Sequence, residues 1–87
     1  MTVDQLMRIV RDEDLATPVL YGSGPLVMDA VVLERNDGRW RAFISDERGS
    51  VMGRTEAFFN SESDALDYVL EKLRQDKAMR DAFARLS

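Results

Sequence analysis

The chain contains neither cysteine nor histidine among its 87 residues. Without cysteine there are no disulfides and no thiolate nucleophiles, so the fold rests on packing alone and cysteine usage says little about the redox compartment. Without either residue, the Cys/His zinc sites and the Ser-His-Asp or Cys-His catalytic groupings cannot be assembled. Long apolar runs are missing too, since no window approaches the roughly 20 residues needed to span a bilayer. A membrane is therefore not an expected partner. Residues 1–4, Met-Thr-Val-Asp, carry an acid and lead into no basic-then-apolar segment, so no secretory signal is expected and the cytoplasm is the expected compartment. Bases are in deficit: twelve Lys and Arg against sixteen Asp and Glu give a formal net charge of −4. Polyanion-binding domains present a basic face, which argues against nucleic acid. Complementary charge would favour a basic partner, although on charge alone simple solubility is the favoured account of mild acidity.

Hydrophobic residues make up 45% and charged residues 32% of the chain, the balance of a globular protein. At this length residues 1–87 form a single domain with a modest core. Thr2 followed by Gln5 makes a capping box, and Val3, Leu6, Met7 and Val10 line one helical face, predicting a first helix to about Glu13. Asp12, Glu13 and Asp14 then crowd the negative end of that helix, and Pro18 cannot continue it. Gly22-Ser23-Gly24-Pro25 separates the short apolar stretch Val19-Leu20-Tyr21 from residues 26–35. Neither a helix start nor a lysine follows those glycines, so they read as a turn rather than a phosphate loop.

Asp37-Gly38, between residues 26–35 and 39–45, is a strong two-residue hairpin signal because both central positions tolerate positive φ. That turn puts Asn36 opposite Arg39, Arg35 opposite Trp40, Glu34 opposite Arg41, Leu33 opposite Ala42 and Val32 opposite Phe43. Alternation then assigns Val31, Leu33, Trp40, Ala42 and Ile44 to one face. The other carries Met28, Ala30, Val32 and Phe43, with Glu34 and Arg41 near the hairpin end. Asp46-Glu47-Arg48-Gly49 suits a four-residue turn, after which residues 50–58 are expected to add a third antiparallel strand. Its register places Met52, Arg54 and Glu56 beside Phe43, Arg41 and Arg39, with Gly53 a position for a bulge.

Asn60 or Ser61 is a credible N-cap for a final helix whose early acids, Glu62, Asp64 and Asp67, complement its dipole. Leu66, Val69, Leu70 and Leu73 form its core stripe. Met79, Ala82, Phe83 and Leu86 form a second stripe rotated away from the first. A break near Gln75-Asp76 would realign the two, while one continuous helix would carry a spiralling apolar band. The expected class is α+β: an N-terminal helix, an antiparallel β-meander of three to four strands, and a C-terminal helix or helix pair.

For catalysis the sequence leaves carboxylates, Ser23, Ser45, Tyr21, Tyr68, Lys72 and Lys77, none spaced for mutual activation. No enzymatic activity, cofactor or metal is expected. Asp12-Glu13-Asp14 lacks the alternating acids and glycine of a calcium loop and reads as a solvated helix end. Asp64, Asp67 and Glu71 make a carboxylate strip, either for a basic partner or simply as an exposed helix face. Trp40 falls with Leu33 and Ile44, where a large aromatic packs as core. On the other sheet face, Phe43, Met52, Val32 and Ala30 form an apolar centre ringed by Arg39, Arg41, Arg54, Glu34 and Glu56, the anatomy of an interface. Either a helix covers that face, or a partner binds it, or two copies of the chain bury it as a homodimer.

The order of elements from Trp40 to Leu73 resembles small immunity proteins of bacterial polymorphic toxin systems. The resemblance is carried by Glu47-Arg48-Gly49, the Phe58-Phe59 strand end, and Ser61-Glu62-Ser63-Asp64-Ala65 with Tyr68. It implies a cytoplasmic protein that binds a cognate toxin domain and blocks its active site or activation by occlusion, with no catalytic residues to carry over. On that reading Phe43 and Met52 are apolar contacts, and Glu34, Asp46, Glu47, Arg48, Arg54 and Glu56 are orienting charges. The alternative is a homodimeric structural or adaptor protein without catalytic activity.

Overall fold

The structure, a computed structural model, describes residues 1–22, 30–45 and 56–86. It is an α+β domain in the order α1 (Val3–Asp12), β1 (Val19–Leu20), β2 (Val31–Asn36), β3 (Arg39–Ile44), β4 (Ala57–Phe59) and α2 (Glu62–Leu86). The strands form one sheet in the spatial order β1-β2-β3-β4.

Helix α1 starts at the capping box expected from sequence: the Thr2 hydroxyl accepts from the Gln5 amide, and the Gln5 side chain accepts from the Thr2 amide. It ends in a Schellman motif, where the Leu15 amide donates to the Val10 carbonyl at 2.8 Å and the Asp14 amide to the Arg11 carbonyl at 3.4 Å. Asp14 takes the left-handed position of that motif, with φ of 55°. The acids crowded there find cations from the other helix. Arg74 grips Glu13 through two nitrogens, at 2.9 and 2.5 Å, and Lys77 donates to the Asp14 carbonyl at 3.5 Å. The same hydrogen bond from Arg74 holds the Glu13 carboxyl below its ordinary pKa.

The β2–β3 hairpin turns at Asp37-Gly38, both at positive φ, and all five cross-strand pairs read from the sequence are present. Two features differ from the expected antiparallel meander. First, β1 runs parallel to β2, pairing Val19 with Val32 and Leu20 with Leu33, so the sheet is mixed. A parallel pair needs a connection longer than a hairpin turn, and residues 21–30 supply it. Second, β4 pairs Phe58 with Arg41 and Phe59 with Trp40, a shift of four residues from the predicted register. The turn expected at Asp46-Gly49 lies outside the described residues. An even shift keeps each side chain on its assigned face.

The first face packs against α2, and α1 packs on α2 in turn. Val31, Leu33 and Ala42 join Leu6 and Val10 of α1 and Ala65, Leu66, Val69, Leu70 and Leu73 of α2 in one buried cluster, with Trp40, Ile44 and Phe59 at its edge. Each fully buried Leu or Val here contributes about 1.5–3 kcal/mol by leaving water. Ser61 caps α2, its hydroxyl accepting from the Asp64 amide at 3.1 Å. Helix α2 is continuous to Leu86, with no break at Gln75-Asp76. Neither Gly nor Pro interrupts it, so the backbone bonds continue even where the packing stops.

Candidate protein-binding surface

The second sheet face divides along the strands. Val19, Ala30 and Phe43 are buried at one end. Toward the Asp37-Gly38 turn the face opens, with Arg39 and Phe58 exposed. Ser45 closes the buried end: its amide and hydroxyl donate to the Ala30 carbonyl, and its hydroxyl accepts from the Ala30 amide at 3.0 Å. That structural duty accounts for this buried serine.

Between the two ends lies a charge triad. Arg41 reaches Glu56 at 2.5 Å through one terminal nitrogen and at 2.7 Å through Nε, and it reaches Glu34 at 3.4 Å. Its guanidinium also lies 4.7 Å from the Phe43 ring centroid. Partly exposed pairs of this kind contribute about 0–1 kcal/mol each, so their main effect is to fix where the charges point. One step toward the turn, Arg39 stands 5.4 Å from the centroid of Phe58, which leaves 46% of that residue open to solvent. The open end is therefore an aromatic side chain held on a strand, one arginine against it and an acid-base-acid triad beside it.

Three residues expected at a partner surface from sequence are described. Glu34 and Glu56 both meet Arg41. Phe43 is only 6% exposed, so its ring supports the site from below and the exposed aromatic is Phe58. Glu56 binds Arg41 rather than lying beside Arg39, because of the shifted β4 register. Asp46, Glu47, Arg48, Met52 and Arg54 lie outside the described residues, as do Met28 and Gly53. Sequence reasoning missed Phe58 as a surface residue. Its signal was alternation with Phe59, which turns inward to meet Tyr68 at a ring separation of 5.3 Å.

A second polar group lies on the core side of the hairpin. The Tyr21 hydroxyl donates to the Glu62 carboxylate and accepts from the Trp40 indole at 3.1 Å, while Arg35 stacks 5.4 Å from the Trp40 ring. Tyr21 has φ of 53°, a backbone state that sequence patterns do not reveal in a tyrosine. Partial burial, and then the bond to Glu62, raise its pKa above the ordinary 10.0. The phenol keeps its proton at neutral pH, as the bond it donates to Glu62 requires. The group ties the end of β1 to β3 and to the start of α2. The carboxylate strip Asp64, Asp67 and Glu71 is exposed, and among the described residues no three acidic side chains converge as they would on a metal ion. No described helix is long and apolar enough to cross a membrane.

No protein-family model, no curated protein and no solved structure matches this chain.

Proposed function

We propose that this chain is a non-catalytic binding protein that neutralises a cognate bacterial toxin domain by occluding it. The observation that carries the reading is the open end of the sheet, where Phe58 projects 46% exposed beside the Glu34–Arg41–Glu56 triad. An aromatic anchor on a rigid strand loses little conformational freedom on binding, and charges already held in place give register and association rate. The net charge of −4 suits a basic partner. The identity of the partner as a toxin comes from the resemblance carried by Glu47-Arg48-Gly49, Phe58-Phe59 and Ser61-Glu62-Ser63-Asp64-Ala65.

Co-expression with the product of the neighbouring gene tests this reading. A neutraliser co-purifies with that product as a stoichiometric complex and restores growth of cells producing it. Phe58→Ser and the charge reversal Arg41→Glu each weaken the complex at least tenfold while the circular dichroism spectrum stays native. Failure to bind the product or to protect the cells would overturn the proposal.

A further inference from the structure

Arg39 is a guanidinium on the candidate surface that the fold leaves unpaired. It stands 5.4 Å from the Phe58 ring centroid, and both residues are exposed. Among the described residues no carboxylate reaches its side chain, whereas Arg41, Arg74 and Arg80 each hold an acid. Its five N–H donors are therefore left to solvent. Among the described residues, Arg35 and Arg39 are the exposed arginines that lie against an aromatic ring, and the Trp40 ring beside Arg35 is already committed to Tyr21 through its indole. Phe58 pairs with Arg41 across the strands, so Arg39 is the next position of that face toward the turn and Glu56 the next away from it. The ring thus separates a free positive charge from the Glu34–Arg41–Glu56 triad, in which two carboxylates share one guanidinium and leave one negative charge in surplus.

Taking the open end of the sheet as the binding surface, as proposed above, we infer that the partner, toxin or not, presents to Arg39 an Asp or Glu side chain beside an apolar side chain that covers Phe58. Covering the ring removes water from the guanidinium against it, and a charge shut away from water without a counter-charge is strongly unfavourable. A partner that buries Phe58 therefore has to bring an anion with it. The guanidinium fork matches a carboxylate in two parallel hydrogen bonds, and charge-assisted bonds of this kind are about twice as strong as neutral ones. A run of phosphates would bring several negative charges against Glu34, Glu56 and a chain of net charge −4, whereas one carboxylate fits on the turn side of the ring. The overall charge still favours a partner that is basic as a whole. The acid is a local contact that fixes its register.

Nuclear magnetic resonance titration of the intact chain with three capped dipeptides, Leu-Asp, Leu-Asn and Leu-Lys, tests the contact without any toxin. Leu-Asp is expected to shift the Arg39 Nε–H and Phe58 ring signals and to saturate at roughly millimolar concentration, as suits so small a ligand. Leu-Asn and Leu-Lys bind at least fivefold more weakly. Arg39→Gln removes the preference for Leu-Asp, Arg39→Lys keeps part of it, and Arg11→Gln, at an exposed arginine on α1, leaves it intact. No response at Arg39, equal binding of Leu-Asp and Leu-Asn, a preference for Leu-Lys, or a preference that survives Arg39→Gln overturns the inference. Against the neighbouring-gene product, Arg39→Glu weakens binding at least tenfold. A product that binds the parent and Arg39→Glu alike overturns the role of Arg39 and leaves the toxin reading standing. A product that binds neither overturns the toxin reading, and the dipeptides still decide on Arg39.

Discussion

The two halves of α2 share one helix and differ in almost everything else. From Glu62 to Leu73 every third or fourth residue is buried against the sheet and α1, whereas from Arg80 to Leu86 every residue is exposed. The first half is helical because tertiary packing makes it so. The second propagates from the first and is held by local pairs such as Asp76–Arg80, since an isolated helix of its length is marginal in water. The boundary is marked by Arg74 and Lys77, which fasten the helix to the end of α1. Packed and exposed surface are thereby separated along one element.

The sharpest way to break this contrast is to truncate a leucine in each half. Leu73→Ala, at a position 1% exposed, should cost about 2–5 kcal/mol in urea unfolding. Leu86→Ala should stay within about 0.5 kcal/mol of the parent. Equal losses would mean that the second half is packed after all.

A glycine in the second half sharpens the picture. Ala78→Gly should weaken the helix there by about 1 kcal/mol, seen as faster amide exchange beyond residue 78 with little movement of the global unfolding midpoint. A matching drop in global stability would contradict the division.

Much of this was legible in the sequence, and what was not has physical causes. The hairpin register followed from Asp37-Gly38 because a two-residue turn fixes pairing locally. The capping box at Thr2 and the stripe at Leu66 are equally local signals. The parallel pairing of Val19-Leu20 was not legible, because it is specified across a long connection rather than by a turn. The β4 register differs by four residues from the one read off Asp46-Gly49, because a turn signal in a segment rich in polar residues does not by itself say where the turn closes. At the surface, the Glu34–Arg41 pairing and the facing of Glu56 were foreseeable by alternation. The same alternation puts Phe58 on the face of Glu56, two residues on; it was missed because it was read only as a strand end.

Two smaller effects concern the ends of the packed half. The bond from Arg74 lowers the Glu13 pKa, so its contribution is present above the ordinary carboxylate value of 4.5 and is lost as pH falls through the lower folded value. Glu13→Gln should flatten that part of the acid stability profile slightly and reduce its sensitivity to salt, as measured by thermal melts from pH 2 to 6. An unchanged profile would show that the clamp contributes nothing in solution. At the other end, Tyr21 and Tyr68 both titrate above 10.0, chiefly through burial. Their contribution is complete below pH 10 and is lost as pH rises through the folded values, so phenolate absorbance should lag that of the unfolded chain. Coincident curves would contradict the Tyr21–Glu62 contact and the packing of Tyr68.

The most direct test of the central claim, that the open end of the sheet is the recognition surface, is a titration of the purified neighbouring-gene product with three chains: the parent, Phe58→Ser and Leu86→Ser. The account predicts tight binding by the parent and Leu86→Ser, and at least tenfold weaker binding by Phe58→Ser. Equal affinity for all three, or loss of binding only with Leu86→Ser, would contradict it.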